Sequence, residues 1–207
     1  MDASVALRAR PRPAPDAQIA LVLHPRHALR REAEALVEGV YQESFGVRLS
    51  SHFPVLLALV DAAGRVRAAA GCRFAGASPL FLEQYLDEPV EAAISRQHHC
   101  SVGRDQIAEI GSLATSGGAS VAMLFAALAQ HLRDEGVAFA TATATRRLRR
   151  AFAAFGFGAL ELGKASADRL PCRGRDWGRY FEHDPIVVAG RVTSGCVSLG
   201  RFGGGAA

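Results

Sequence analysis

Between residues 106 and 145 the chain reads as strand, glycine turn, helix and strand, and this succession restricts the possible folds more than any other feature. Residues 106–113 (QIAEIGSL) have a strand pattern interrupted at Gly111, and a glycine inside a strand marks a β-bulge. Thr115-Ser116-Gly117-Gly118 forms a turn, and residues 119–135 carry apolar side chains at helical spacing up to a stop at Gly136. Residues 137–145 (VAFATATAT) alternate as a second strand. Two strands of one sheet joined through a helix lie parallel, with a right-handed crossover.

The flanking patterns fit around this unit. Residues 19–23 form a short apolar strand that ends at His24-Pro25. Over residues 27–45, Leu29, Ala33, Leu36, Val37, Val40 and Tyr41 recur at spacings of three and four, which predicts an amphipathic helix stopped by Gly46. Residues 54–61 and 66–74 flank Ala62-Ala63-Gly64-Arg65 as a β-hairpin. Residues 80–94 give one or two short helices broken at Pro89, and residues 95–105 form a polar, mobile connection. A helix over 146–155 ends at Gly156, and strands at 157–162 and 185–192 close the pattern around a polar loop at 173–184. The expected fold class is α/β: a mixed, mostly antiparallel twisted sheet with a central parallel bulged pair and flanking helices.

A chain of 207 residues can bury about 70% of its unfolded surface. One domain over residues 18–193 is therefore expected. The Pro- and Arg-containing stretch 1–17 reads as a disordered leader and 194–207 as a glycine-rich tail. The net charge of +4 is spread along the chain apart from Arg146, Arg147, Arg149 and Arg150, too weak a field to indicate nucleic acid. Those four arginines read as a solvated helix face or as a contact for an anion or acidic carrier surface. Cys72, Cys100, Cys172 and Cys196 form no CxxC pair, which points to a reduced compartment and a cytoplasmic location. No signal-peptide core or spanning run is present in the sequence, so integral membrane insertion is not expected.

With these elements in place the chain resembles the GNAT-type acyltransferases. The stretch from Gly71 to Leu113, with the words PLFLEQYLDEPVE and AEIGSLA, is similar to the thermostable hemolysin family. The layout also resembles the acyl-homoserine lactone synthases, with Arg73-Phe74, Pro79 to Tyr85 and Ala108-Glu109-Ile110-Gly111-Ser112 in the places of that family's motifs. Ser112 stands where those synthases have Arg and Ala108 where they have Trp, which argues against a homoserine lactone product. The resemblance implies an N-acyltransferase of the GNAT-like type. Such an enzyme moves an acyl group from acyl-CoA or an acyl-phosphopantetheine carrier to a small-molecule amine, for instance an amino acid. The donor is a co-substrate, no cofactor is bound permanently, an acyl carrier protein is a candidate partner, and the chain acts as a monomer or homodimer. Two alternatives stand beside it: a membrane-active hemolysin, or an acyl-binding module without turnover.

Glu109 is the leading catalytic candidate, since acyl transfer to an amine needs a group that accepts the ammonium proton. A glutamate between Ala108 and Ile110 is costly to bury without a task or a partner. The competing reading is a structural Glu paired with Arg73 or Arg104. The donor site is placed at Leu113, Ala114, Thr115, Gly117, Gly118 and Ser120, where backbone N–H groups ahead of a helix can hold phosphate or pantetheine oxygens; a plain turn capped by Ser120 is the alternative. Arg73, Phe74, Phe81, Tyr85 and Thr143 are the substrate-site candidates, Phe81 and Tyr85 doubling as wall of an acyl slot or as ordinary core. His98-His99-Cys100 invites a metal, but adjacent residues point apart and no complementary ligand cluster follows, so none is assigned.

Overall fold

The computed structural model describes residues 18–116 and 119–192. Residues 1–17, expected as a leader, 193–207, which include the expected tail, and Gly117-Gly118 lie outside the described residues. Seven strands form one sheet: β1 Gln18–Leu23, β2 Val55–Asp61, β3 Val66–Phe74, β4 Ile107–Thr115, β5 Phe139–Ala144, β6 Leu160–Lys164 and β7 Ile186–Arg191, in the order β1-β2-β3-β4-β5-β7-β6. Every neighbouring pair is antiparallel except β4 and β5. The helices are α1 Arg30–Phe45, α2 Val90–His98, α3 Ala119–Asp134 and α4 Arg146–Ala154, with 3-10 turns between them. The mostly antiparallel sheet with its single parallel pair follows the expectation.

The two faces of the sheet are assigned by side-chain parity. On β3 and β4, Ala68, Ala70, Cys72, Ala108 and Ile110 pack with Leu124, Leu128 and Leu132 of α3. Alternate residues face the other way. There Ala33 and Val37 of α1 meet Leu56, Ala58 and Ala69, while Val90 and Ile94 of α2 pack with Ile107, Phe139 and Val187. Each such Leu or Ile contributes about 1.5–3 kcal/mol by leaving water.

One buried cation ties α1 to the strands. Arg30 is 7% exposed; it donates to the carbonyls of Leu23, Pro54 and Phe53 at 3.1, 3.3 and 2.5 Å and pairs with Glu34 at 2.8 Å. Its partners fix the entry to β2 and hence Phe53. The Phe53 ring lies on the two glycines of the central strands: a Cβ at Gly71 would fall 2.5 Å from its Cγ, and one at Gly111 2.6 Å from its Cζ.

Three local expectations are corrected. The bulge lies next to Gly111 rather than on it, because Ser112 takes the left-handed conformation (φ 50°) and the β3 register jumps from Ala69↔Ala114 to Gly71↔Gly111. The polar stretch 95–105 is partly ordered helix, since α2 runs to His98 and the Ser95 hydroxyl then accepts from the Val102 amide at 3.1 Å. Ser120 is inside α3 and does not cap it; its hydroxyl meets the Gln18 side chain at 3.2 Å.

Replacing Gly71 by Ala sets a methyl against the root of the Phe53 side chain, which Arg30 prevents from retreating. Gly71→Ala is expected to cost about 1–3 kcal/mol. Urea denaturation checks this: the midpoint falls with little change in slope, whereas an unchanged midpoint shows that the ring is not held.

Candidate functional site

The parallel pairing of β4 with β5 lasts only for Ile107↔Phe139, Ala108↔Ala140 and Glu109↔Thr141. Beyond Glu109 the bulge at Ser112 carries β4 away, and a gap opens between two central strands. On the α1 face it meets a cavity of about 310 Å³ walled by Phe53, Arg73, Phe81, Tyr85, Trp177 and Tyr180. Towards α3 and α4 it continues as a cleft of about 400 Å³ that Leu113, Thr115, Val121, Thr145 and Arg147 help to line. Ile110, Gly111, Ser112 and Thr143 line both spaces.

Glu109 stands where the gap begins. It is 3% exposed, and its two carboxylate oxygens accept from the backbone N–H groups of Phe81 (2.8 Å) and Leu82 (3.1 Å). Those amides open the 3-10 turn Phe81–Tyr85, so the carboxylate also anchors that turn. Burial raises the Glu109 pKa above that of a free glutamate, and the two amides and the nearby positive charge of Arg73 offset part of the rise. The turn is held from outside by Glu83, which accepts from the Leu80 and Val90 amides at 2.8 and 3.3 Å and pairs with Arg104 at 2.7 Å. Arg104 reaches Glu91 as well. It is therefore committed to Glu83 and Glu91 and is not the partner of Glu109.

Arg73 is the register partner of Glu109, so both side chains project into the cavity from the same face. Its guanidinium lies 5.3 Å from the centre of the Phe53 ring, within cation–π range. Phe81, Trp177 and Tyr180 form an aromatic row, with centroids 5.5 and 5.4 Å apart. Three phenols line the cavity with the carboxylate. Burial pushes Tyr41 up to about 12, a hydrogen bond with the Ser112 backbone opposing the rise, and raises Tyr85 and Tyr180 well above the ordinary range. All three stay protonated near neutrality. The Tyr180 hydroxyl donates to the Thr143 carbonyl at 3.0 Å, and the buried Thr143 hydroxyl has no partner among the described residues.

The structure therefore brings together Glu109, Arg73, Phe81, Tyr85 and Thr143. Phe74 is not with them: one residue beyond Arg73, it turns to the opposite face and meets His131 at 6.2 Å. Leu113 and Thr115 line the cleft, Ala114 is buried in the core under α1, and Gly117-Gly118 lies outside the described residues. The His98 ring packs on Phe139 at 4.9 Å, and Cys100 accepts from Arg191. Of the arginine cluster, Arg149 binds the carbonyls of Ala144 and Asp184 at 2.9 and 2.6 Å. Sequence reasoning passed over Phe53, Trp177 and Tyr180. The one available signal was the aromatic content of 177–181 (WGRYF), a run unusual for a loop exposed to water.

The thermostable hemolysin profile matches residues 23–196. The chain belongs to the thermostable hemolysin family. No curated protein matches the sequence. Among solved structures, this family member shares its fold with the acyl-homoserine lactone synthase LasI (TM-score 0.60, 11% identity, covering 87% of this chain and 92% of that one). It is likewise similar to FeeM, an N-acyl amino acid synthase from uncultured soil microbes (TM-score 0.59, 14% identity, 85% and 90% covered). BjaI, a CoA-dependent acyl-homoserine lactone synthase, gives a TM-score of 0.58 at 16% identity, with 86% and 85% covered. At identities this low the likeness establishes the shared fold alone. Among the described residues of the hemolysin-family chain, no helix is long and apolar enough to cross a membrane.

A carboxyl whose folded pKa lies above the unfolded value favours the fold when protonated. Relative to Glu109→Gln, the wild type should therefore lose stability as pH climbs through 4.5, the value of a free glutamate, and stop losing it once pH passes the folded value. Thermal unfolding of both proteins between acid and neutral pH reads this difference, and a gap constant with pH shows an unshifted carboxyl.

Proposed function

We propose that this protein is an N-acyltransferase that moves an acyl group from a thioester of CoA or of a phosphopantetheine carrier to the amine of a small molecule. The observation that carries the reading is a water-shielded carboxylate, Glu109, at the point where two central strands part and two spaces meet. One space suits the donor and the other the acceptor. Backbone groups of β4 past the bulge lie without a β5 partner along the gap, where they can hold the pantetheine arm in place of a strand. Leu113 and Thr115 line that path; Gly117, Gly118 and Ser120 follow them in the chain and complete the proposed donor site. Arg147 at the mouth supplies positive charge for phosphate or an acidic carrier.

In the reaction the amine nitrogen attacks the thioester carbonyl, a C–N bond forms and the C–S bond breaks. The ammonium first gives one proton to Glu109, directly or through one water, and from there to solvent, which frees the lone pair for attack; the second proton, lost from nitrogen as the tetrahedral adduct collapses, ends on the departing thiolate. A carboxyl with a raised pKa suits this task, because its base strength is closer to that of the proton donor. The acyl chain has a place as well. Ile110 and Phe125 line both the cleft and an apolar pocket of about 40 Å³ between α3, α4 and the strands, walled by Ala140, Ala142, Phe152 and Val188.

Two experiments test the reading. With acyl-CoA or acyl-carrier donors and a mixture of amines, the purified protein is expected to release free thiol, and Glu109→Gln to lower kcat by about 10²–10⁴-fold; lysis of red cells by the pure protein without any donor, and no thiol release, decides for the membrane-active alternative. Ala142→Phe fills the apolar pocket and is expected to move donor preference from long to short acyl-CoA, read as the ratio of kcat/KM values. An unchanged ratio puts the chain elsewhere.

A further inference from the structure

We infer that the acceptor is an α-amino acid with an apolar or aromatic side chain, held as a zwitterion: Arg73 takes its carboxylate while Glu109 faces its ammonium. The inference rests on the acyl-transfer reading and names the substrate class of the same site. It follows from the placement of two opposite charges. Arg73 and Glu109 are directly opposed across β3 and β4, where registered side chains start about 5 Å apart. Even so, no carboxylate among the described residues lies within 4.0 Å of the Arg73 guanidinium. An α-amino acid carries its two charges on one carbon and spans such a pair of groups without moving either.

The alternative, that Arg73 serves only as the counter-ion of Glu109, fits less well. Both oxygens of Glu109 are already engaged by the Phe81 and Leu82 amides, yet each keeps a lone pair for an ammonium. Arg73 is half-buried and held over the Phe53 ring, with its five N–H donors in a planar fork matched to a carboxylate. A positive group in that position lowers its energy by binding an anion. Beside it runs the row of Phe81, Trp177 and Tyr180, which offers an apolar acceptor side chain stacking area rather than hydrogen-bond partners. The remaining charged residues of the lining, Arg48 and Asp176, are both exposed.

The test compares acids with their amides, which keep the amine and lose the carboxylate. The full chain is titrated calorimetrically with L-phenylalanine, L-leucine, L-phenylalaninamide and phenethylamine, and the same compounds are offered as acceptors with octanoyl-CoA while free thiol is followed. Loss of the carboxylate is expected to weaken binding and kcat/KM by about 10- to 100-fold. Arg73→Gln should raise KM for the acids by a similar factor and leave KM for the amides nearly unchanged, with Arg73→Lys in between; the comparison of ligands on wild-type protein needs no variant to fold. Amides and amines used as well as acids overturn the zwitterion clamp and leave acyl transfer standing. Binding of the acids that depends on the carboxylate but leads to no thiol release with any amine overturns acyl transfer and keeps the clamp. Neither binding nor turnover of any of the acids, amides or amines overturns both.

Discussion

A single residue with a left-handed backbone sets the site apart from the rest of the sheet. Ser112 at φ 50° adds one residue to β4 against β3, and the strand swings away from β5 after only three registered pairs. A non-glycine residue in this conformation costs about 1–2 kcal/mol, and the opened seam gives up ladder hydrogen bonds as well. The cost falls at the one place where a ligand would restore those bonds. Strain and unpaired backbone at a sheet centre are what the proposed thioester site, built from main-chain groups, would use.

The seam is useful only because the chemistry next to it is kept rigid. Phe53 occupies the room left by two missing side chains at Gly71 and Gly111, and Arg30 secures the backbone from which that ring projects. The ring in turn supports Arg73. A buried ionic group on one side of α1 thus controls the position of a second cation in the cavity, through packing rather than through charge. On the opposite wall the 3-10 turn Phe81–Tyr85 presents its free amides to Glu109 and its aromatic rings to the cavity.

Much of this layout was legible in the chain because it is local. Gly111 within an apolar strand, the glycine turn and the helix before VAFATATAT gave the parallel pair, and Glu109 between Ala108 and Ile110 announced a carboxylate that needed a purpose. Parity also carried information that was not used: with Arg73 facing Glu109, Phe74 had to face α3. The bulge moved by one residue because tertiary pairing, not intrinsic preference, chose Ser112 over Gly111 for the unusual φ. Phe53, Trp177 and Tyr180 were illegible for another reason. They sit on irregular segments with no period to read, and only the closure of the fold brings them to the site: Trp177 and Tyr180 are more than sixty residues from Glu109 in sequence.

The Glu83–Arg104–Glu91 cluster has a consequence beyond holding a turn. Its side chains are 20–32% exposed, so dissolved ions reach them, while Glu109 is only 3% exposed. Yet the amides that cradle Glu109 belong to the residues directly between Leu80 and Glu83, the two ends of a hydrogen bond in that outer cluster. The inner carboxylate is thereby wired to the solvent by two peptide units: what the bath does to the outer ions is felt as a change in the grip on the inner one.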